Sequence, residues 1–177
     1  MNIELERQIR RRVAHQGLYA LGFIRRVARG LYNRQEKHPL LGQVPTRPDE
    51  IAKSLAGRDA TRVPPTGASA ANALGLSDQV PMKVVYLTDG RTRHMQLGNL
   101  EIVLWHTAPR FMATAGRISG TVIQALRWLG RRNVVKRVII LLRRRLSDSD
   151  RRQLLDDFRY APAWIADIMR QVASPQE

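Results

Sequence analysis

The chain has 177 residues, no cysteine and a formal net charge of +15, from 30 Lys+Arg against 15 Asp+Glu. The lack of cysteine excludes disulfides, a thiolate nucleophile and a Cys-based zinc site, and 44% apolar with 25% charged residues is the balance of a globular core, not a disordered tail. The longest unbroken apolar run, Val138–Leu142, is too short for a membrane span, and the N-terminal MNIELERQIRRR lacks the apolar stretch of a signal peptide, so a cytoplasmic location without membrane association is expected.

Asn2 to Gln16 reads as a helix, with Ile3, Ile9 and Val13 on one stripe and Gly17 as a natural stop. Phe23 to Arg34 reads as a basic β-hairpin, its strand-like pieces Phe23-Ile24 and Leu31-Tyr32 lying around Arg29-Gly30. A helix followed by a basic hairpin is the arrangement of a winged helix and its wing; a plain surface hairpin fits these residues as well. Residues 37–50 contain three prolines and a glycine and read as a connector. Pro48-Asp49-Glu50 opens a short helix, with the acidic pair at its positive end. Thr61 to Pro64 could form a strand piece. Thr66 is a candidate N-cap for GASAANALGL, a helix of small residues suited to close packing. That helix has neither the Lys of a P-loop nor the spacing of a dinucleotide-binding loop.

Residues 82–106 contain three strand-length runs with turn signals at Asp89-Gly90 and Gly98-Asn99, which predict an antiparallel meander. Leu100, Ile102 and Leu104 share one face of the third run, and Met95 and Leu97 one face of the second. From Arg117 the period becomes helical. Ile118, Val122, Ala125, Leu126 and Leu129 make one stripe, ended by Gly130, and Val135, Val138, Leu142 and Leu146 make a second. Ser147 caps a third helix, with Asp148 and Asp150 in its first turn, and a last helix runs from Pro162 to Val172.

The excess charge has an address. Residues 1–37 carry +6, residues 38–116 +2, residues 117–145 +9 with no acidic residue, and residues 146–177 −2. Only Lys37, Lys53, Lys83 and Lys136 are lysines. Arginine offers a two-pronged donor geometry to phosphate and stacks on bases, so two arginine-rich zones point to nucleic acid. Arginine-favouring codons on solvated faces are the plain alternative. Arg131, Arg132, Lys136, Arg137 and Arg144 form a strongly positive helical surface for nucleic acid or an acidic partner, or else a solvated face.

Catalytic and metal signals are weak. His15, His38, His94 and His106 fall in four different predicted elements without helical metal spacing, although His94 and His106 could meet across adjacent strands. Asp148/Asp150 and Asp156/Asp157 sit on an exposed helix beside arginines, where capping and pairing account for them, and no nucleophile elbow is present. The expectation is a non-enzyme without cofactor or metal.

The strings GFIRRVARGLYNRQEKHPLLG, TRVPPTGASAANALGLSDQVPMKVVYLTDG, ATAGRISGTVIQALRWLG and LSDSDRRQLLDDFRYAPAWIADIM resemble the AbiEi-like antitoxins, over nearly all of residues 20–173. The resemblance implies an N-terminal winged-helix DNA-binding domain, a C-terminal α/β antitoxin domain, repression of the chain's own operon, and neutralisation of a nucleotidyltransferase-like toxin encoded nearby. The chain departs from that pattern at its start. Only Gly17 to Gly22 separate the first predicted helix from the wing, where a family winged helix would carry two more helices, so the recognition helix is missing or reduced. A shortened domain, an alternative start or completion by a second copy would each account for this.

The expected fold is therefore α+β: a reduced winged-helix-like segment over residues 1–38, then an antitoxin domain over 39–177 with an antiparallel meander and a C-terminal helical bundle. The expected function is a non-enzymatic antitoxin and transcriptional autoregulator of a toxin–antitoxin or phage-defence system. The alternative is a nucleic-acid-binding accessory protein of a mobile element. Expected DNA contacts are Arg10, Arg11, Arg12, Arg25, Arg26, Arg29 and Arg34. Expected partners are DNA, through its backbone, the toxin, and a second copy in a homodimer.

Overall fold

The structure, a computed structural model, describes residues 48–56, 62–79 and 81–174, together with the backbone of four short strands at 24–28, 31–34, 37–38 and 42–43. The chain divides into two compact units, Met1–Ile51 and Ala52–Glu177. The architecture is mixed α+β, with seven α-helices among the described residues.

In the first unit, β1 (Ile24–Ala28) pairs antiparallel with β2 (Leu31–Arg34), with a register shift between Arg26 and Ala28. This is the backbone of the expected hairpin. The connector expected over 37–50 also contains a second small hairpin, in which β3 (Lys37–His38) pairs antiparallel with β4 (Gly42–Gln43). The predicted helix over Asn2–Gln16 lies outside the described residues. Helix α1 (Pro48–Ala56) carries Asp49 and Glu50 in its first turn and buries Ile51 and Ala52.

The second unit takes in the end of α1, from Ala52, and further along the chain Pro64–Thr66 runs beside β5 (Lys83–Thr88): Thr66 N donates to Val85 O at 3.0 Å and Leu87 N to Pro64 O at 3.0 Å. Thr66 does not cap the next helix. The N-cap of α2 (Ala68–Ala73) is Gly67, at φ +61°, and the Thr66 hydroxyl instead bonds Gln124 Oε1 at 3.1 Å. Ala70 and Ala71 are fully buried where α2 packs on α4 (Ile118–Leu129), the close approach that small residues permit.

The sheet corrects the expected meander. Its three strands are β5, β6 (Arg93–Leu97) and β7 (Leu100–His106), ordered β5-β7-β6. The strand directions are those of a meander, but β7 is central, parallel to β5 and antiparallel to β6. The reason lies in side-chain burial. β7 buries the consecutive residues Ile102, Val103 and Leu104, so both of its faces are covered, as a central strand requires. β6 buries only Met95 and stays at the edge. Gly98-Asn99 closes the β6–β7 hairpin as expected, with Gly98 at φ +57° supplying the left-handed conformation of a tight turn. Asp89-Gly90 instead begins a crossing over the end of β7. His106 holds that crossing by an Nδ1 contact to Gly90 O at 2.8 Å, and by its backbone N donating to Thr92 Oγ1 at 3.1 Å.

After the four-residue helix α3 (Pro109–Met112), the chain forms α4, a 3-10 turn at Arg131–Asn133, α5 (Lys136–Arg145), α6 (Asp148–Asp157), a 3-10 turn at Phe158–Tyr160, and α7 (Ala163–Ala173). Leu126, Leu142, Leu154, Ile165 and Met169 are the fully buried centre of the core that these helices share with α2. Gly130, at φ +76°, stops α4 as its position predicts. Ser147 makes the expected cap, as a full capping box with Asp150.

The start of α4 is finished from another helix. Gln153 Oε1 of α6 accepts the backbone N–H groups of Ile118 at 2.8 Å and Ser119 at 3.4 Å. One helical turn further, Asp157 accepts the Ser119 hydroxyl and pairs with Arg117 Nη1 at 2.9 Å. The expectation that Asp157 lies on an exposed face is therefore corrected: it is 1% exposed, and its charge faces the positive end of α4.

Candidate nucleic-acid interface

A basic surface can attract phosphate only where its own acids leave it uncompensated. The ion pairs among the described residues are Lys83 and His94 with Glu101, Arg117 with Asp157, Arg151 with Asp148, and Arg170 with Asp167. None reaches residues 127–145, the part of the chain that carries eight cations and no acid. Glu101 accepts from Lys83 at 3.2 Å and lies 3.4 Å from His94, and those contacts hold its carboxyl below the usual carboxylate range.

Helix α5 sorts its side chains by angle. Leu142 faces the core, with Val138 and Ile139 half-buried beside it. Opposite them, positions 136, 137, 140 and 144 fall within roughly 100° of arc at 3.6 residues per turn. Lys136, Arg137, Ile140 and Arg144 are all exposed there, forming one cationic stripe with an apolar residue in it. The neighbouring arginines turn elsewhere. Arg143 donates through Nε and Nη2 to Gln171 O, at 3.2 and 2.6 Å, so its stem packs at the boundary of the apolar face. Arg145 lies over Gly75, filling the space a Cβ there would need.

Arg131 and Arg132 are exposed, but they belong to the 3-10 turn and not to α5. The single positive helix expected to hold all five candidates is thus broken, because Gly130 ends α4 and Val135, in an extended conformation, starts α5 afresh. Lys136, Arg137 and Arg144 remain together on one face. Among the hairpin candidates, Arg25, Arg26 and Arg34 lie in the paired strands β1 and β2. Arg10, Arg11, Arg12 and Arg29 lie outside the described residues.

Two arginines outside α5 also lack a carboxylate partner among the described residues. Arg110 of α3 and Arg127 in the last turn of α4 both lie over the Phe111 ring, with Cζ 4.8 and 5.0 Å from its centre. Burial, and then the charge of Arg110, hold the Arg127 guanidinium below the ordinary arginine range. Sequence reading missed this cluster. The three residues come from two elements, and no periodicity relates position 110 to position 127.

His94 and His106 do not come together. His94 pairs in register with Val103 and contacts Glu101, while His106 pairs with Thr88 and holds Gly90. Among the described residues no three His, Asp or Glu side chains converge as a metal site, and no helix is long and apolar enough to cross a membrane.

A model of a family of unknown function, DUF6088, matches residues 5–154, and the chain belongs to that family. Neither a curated protein nor a solved structure matches it.

Proposed function

We propose that the chain is a non-enzymatic antitoxin that binds nucleic acid, represses its own operon in the cytoplasm and counteracts a nucleotidyltransferase-like toxin. The nucleic-acid part is carried by one observation: the exposed face of α5 presents Lys136, Arg137 and Arg144 in a stretch from 117 to 145 that contains no acid. Such a face neutralises phosphates without reading bases. The antiparallel pairing of β1 and β2, which carry Arg25, Arg26 and Arg34, supports a wing that lays cations along phosphates. The toxin partner and the autoregulation rest on the resemblance to the AbiEi-like antitoxins.

Backbone-dominated binding has a measurable signature. Affinity for duplex DNA should vary little with sequence and fall steeply with salt, log K dropping by roughly 0.9 per phosphate contact for each log unit of salt. Replacing Arg25, Arg26 and Arg29 by alanine should flatten that slope by about two to three units. Tight discrimination for one upstream sequence would mean that a complete reading head is built some other way, for example across a dimer. The antitoxin part is tested by co-expression with a nucleotidyltransferase-like protein encoded beside this gene, where restored growth is the expected result. Nucleic-acid binding without rescue would leave the accessory-protein reading in its place.

A further inference from the structure

Phe111 gathers two cations that no carboxylate among the described residues neutralises. Arg110 and Arg127 come from different helices, and both lie within 5.0 Å of the same ring centre. Among the described residues neither guanidinium has a hydrogen-bond acceptor or a carboxylate partner. Arg110 is exposed and Phe111 and Arg127 are half-buried, so the cluster opens to solvent on one side.

A guanidinium stacked on a ring keeps its in-plane N–H donors free while its position is held by the aromatic face. Two such cations on one ring repel each other, and an anion reached by both converts that repulsion into attraction. Phosphate suits this geometry, because its oxygens accept paired N–H donors from each guanidinium. We infer that Arg110 and Arg127, both within 5.0 Å of the Phe111 ring centre, grip one phosphate group of a nucleic-acid strand as a contact separate from the face of α5. The inference rests on the nucleic-acid reading above and assigns to it residues from α3 and α4.

The test uses the full chain, fluorescent single-stranded and duplex oligonucleotides in salt titrations, and inorganic tripolyphosphate in calorimetry. The double variant Arg110→Gln/Arg127→Gln should lower the salt slope by about one unit, since two arginines hold one phosphate. Each single variant should remove most of what the pair removes. Phe111→Leu, which keeps both charges and much of the bulk, should also weaken binding because the guanidiniums lose their platform. Thermal unfolding of each variant checks that the fold is retained. A wild-type slope in the double variant, with a reduced slope in Lys136→Glu/Arg144→Glu, overturns the grip and leaves the α5 reading standing. If wild type binds neither oligonucleotide but binds tripolyphosphate through Arg110 and Arg127, the nucleic-acid reading falls and the grip holds a free polyphosphate. Binding of none of these ligands overturns both.

Discussion

A buried carboxylate persists only where its charge is answered, and Asp157 is answered by Arg117 at 2.9 Å, by the Ser119 hydroxyl and by the positive end of α4. Asp157→Asn keeps the shape and removes the charge. Arg117 is 40% exposed and returns to water, so the expected loss is about 1–3 kcal/mol, below that of a fully buried pair. Denaturant unfolding measures it, and an unchanged midpoint would mean that the pair contributes nothing. Gly120 makes a different demand. A Cβ at this buried helical position would run into the carbonyl oxygen of Thr114, which is backbone and cannot rotate aside. Alanine is the better helix former, yet Gly120→Ala should destabilise by about 1–3 kcal/mol through overpacking. A gain in thermal stability would show that the α3–α4 loop yields instead.

At the scale of elements, α5 separates two kinds of energy on one cylinder. Leu142 is fully buried, and Leu142→Ala should cost about 2–5 kcal/mol. On the opposite side, reversing Lys136, Arg137 and Arg144 to glutamate should move stability by less than about 1 kcal/mol, because exposed charges are individually worth little. The same reversal should abolish most nucleic-acid binding. Unfolding curves and a binding titration on the same samples check both halves, and intact binding after reversal would return this face to mere solvation. The sheet shows what an element's own pattern conveys. The three runs and the Gly98-Asn99 turn were legible because alternation and turn chemistry are local. Strand order was not, since it depends on which strand can bury both faces; the unbroken Ile102-Val103-Leu104 was the available sign.

For the whole molecule, the division into units falls within α1, between Ile51 and Ala52, so a cut at that point would sever a helix. A fragment of residues 39–177 keeps α1 whole, together with the sheet and the shared helical core. It should unfold in one cooperative transition and retain whatever antitoxin activity the full chain has. Calorimetry and co-expression with the nucleotidyltransferase-like toxin proposed above check this. A soluble, folded fragment that leaves growth arrested would place neutralisation in the first unit.

The amino-acid sequence by itself determined the α+β class, the extents of α4, α6 and α7, the capping box at Ser147, the β1–β2 pairing and the acid-free run of positive charge over residues 117–145. Each depends on side-chain period, on turn chemistry or on counting charges, and so is written within a few residues of where it acts. Tertiary structure alone decided that β7 lies between β5 and β6, that Gln153 and Asp157 complete the start of α4, and that Arg110 and Arg127 meet on Phe111. These join residues far apart in the chain. Their pairing is chosen by which surfaces must leave water together, and apart from the apolar run of β7 no local pattern encodes that choice.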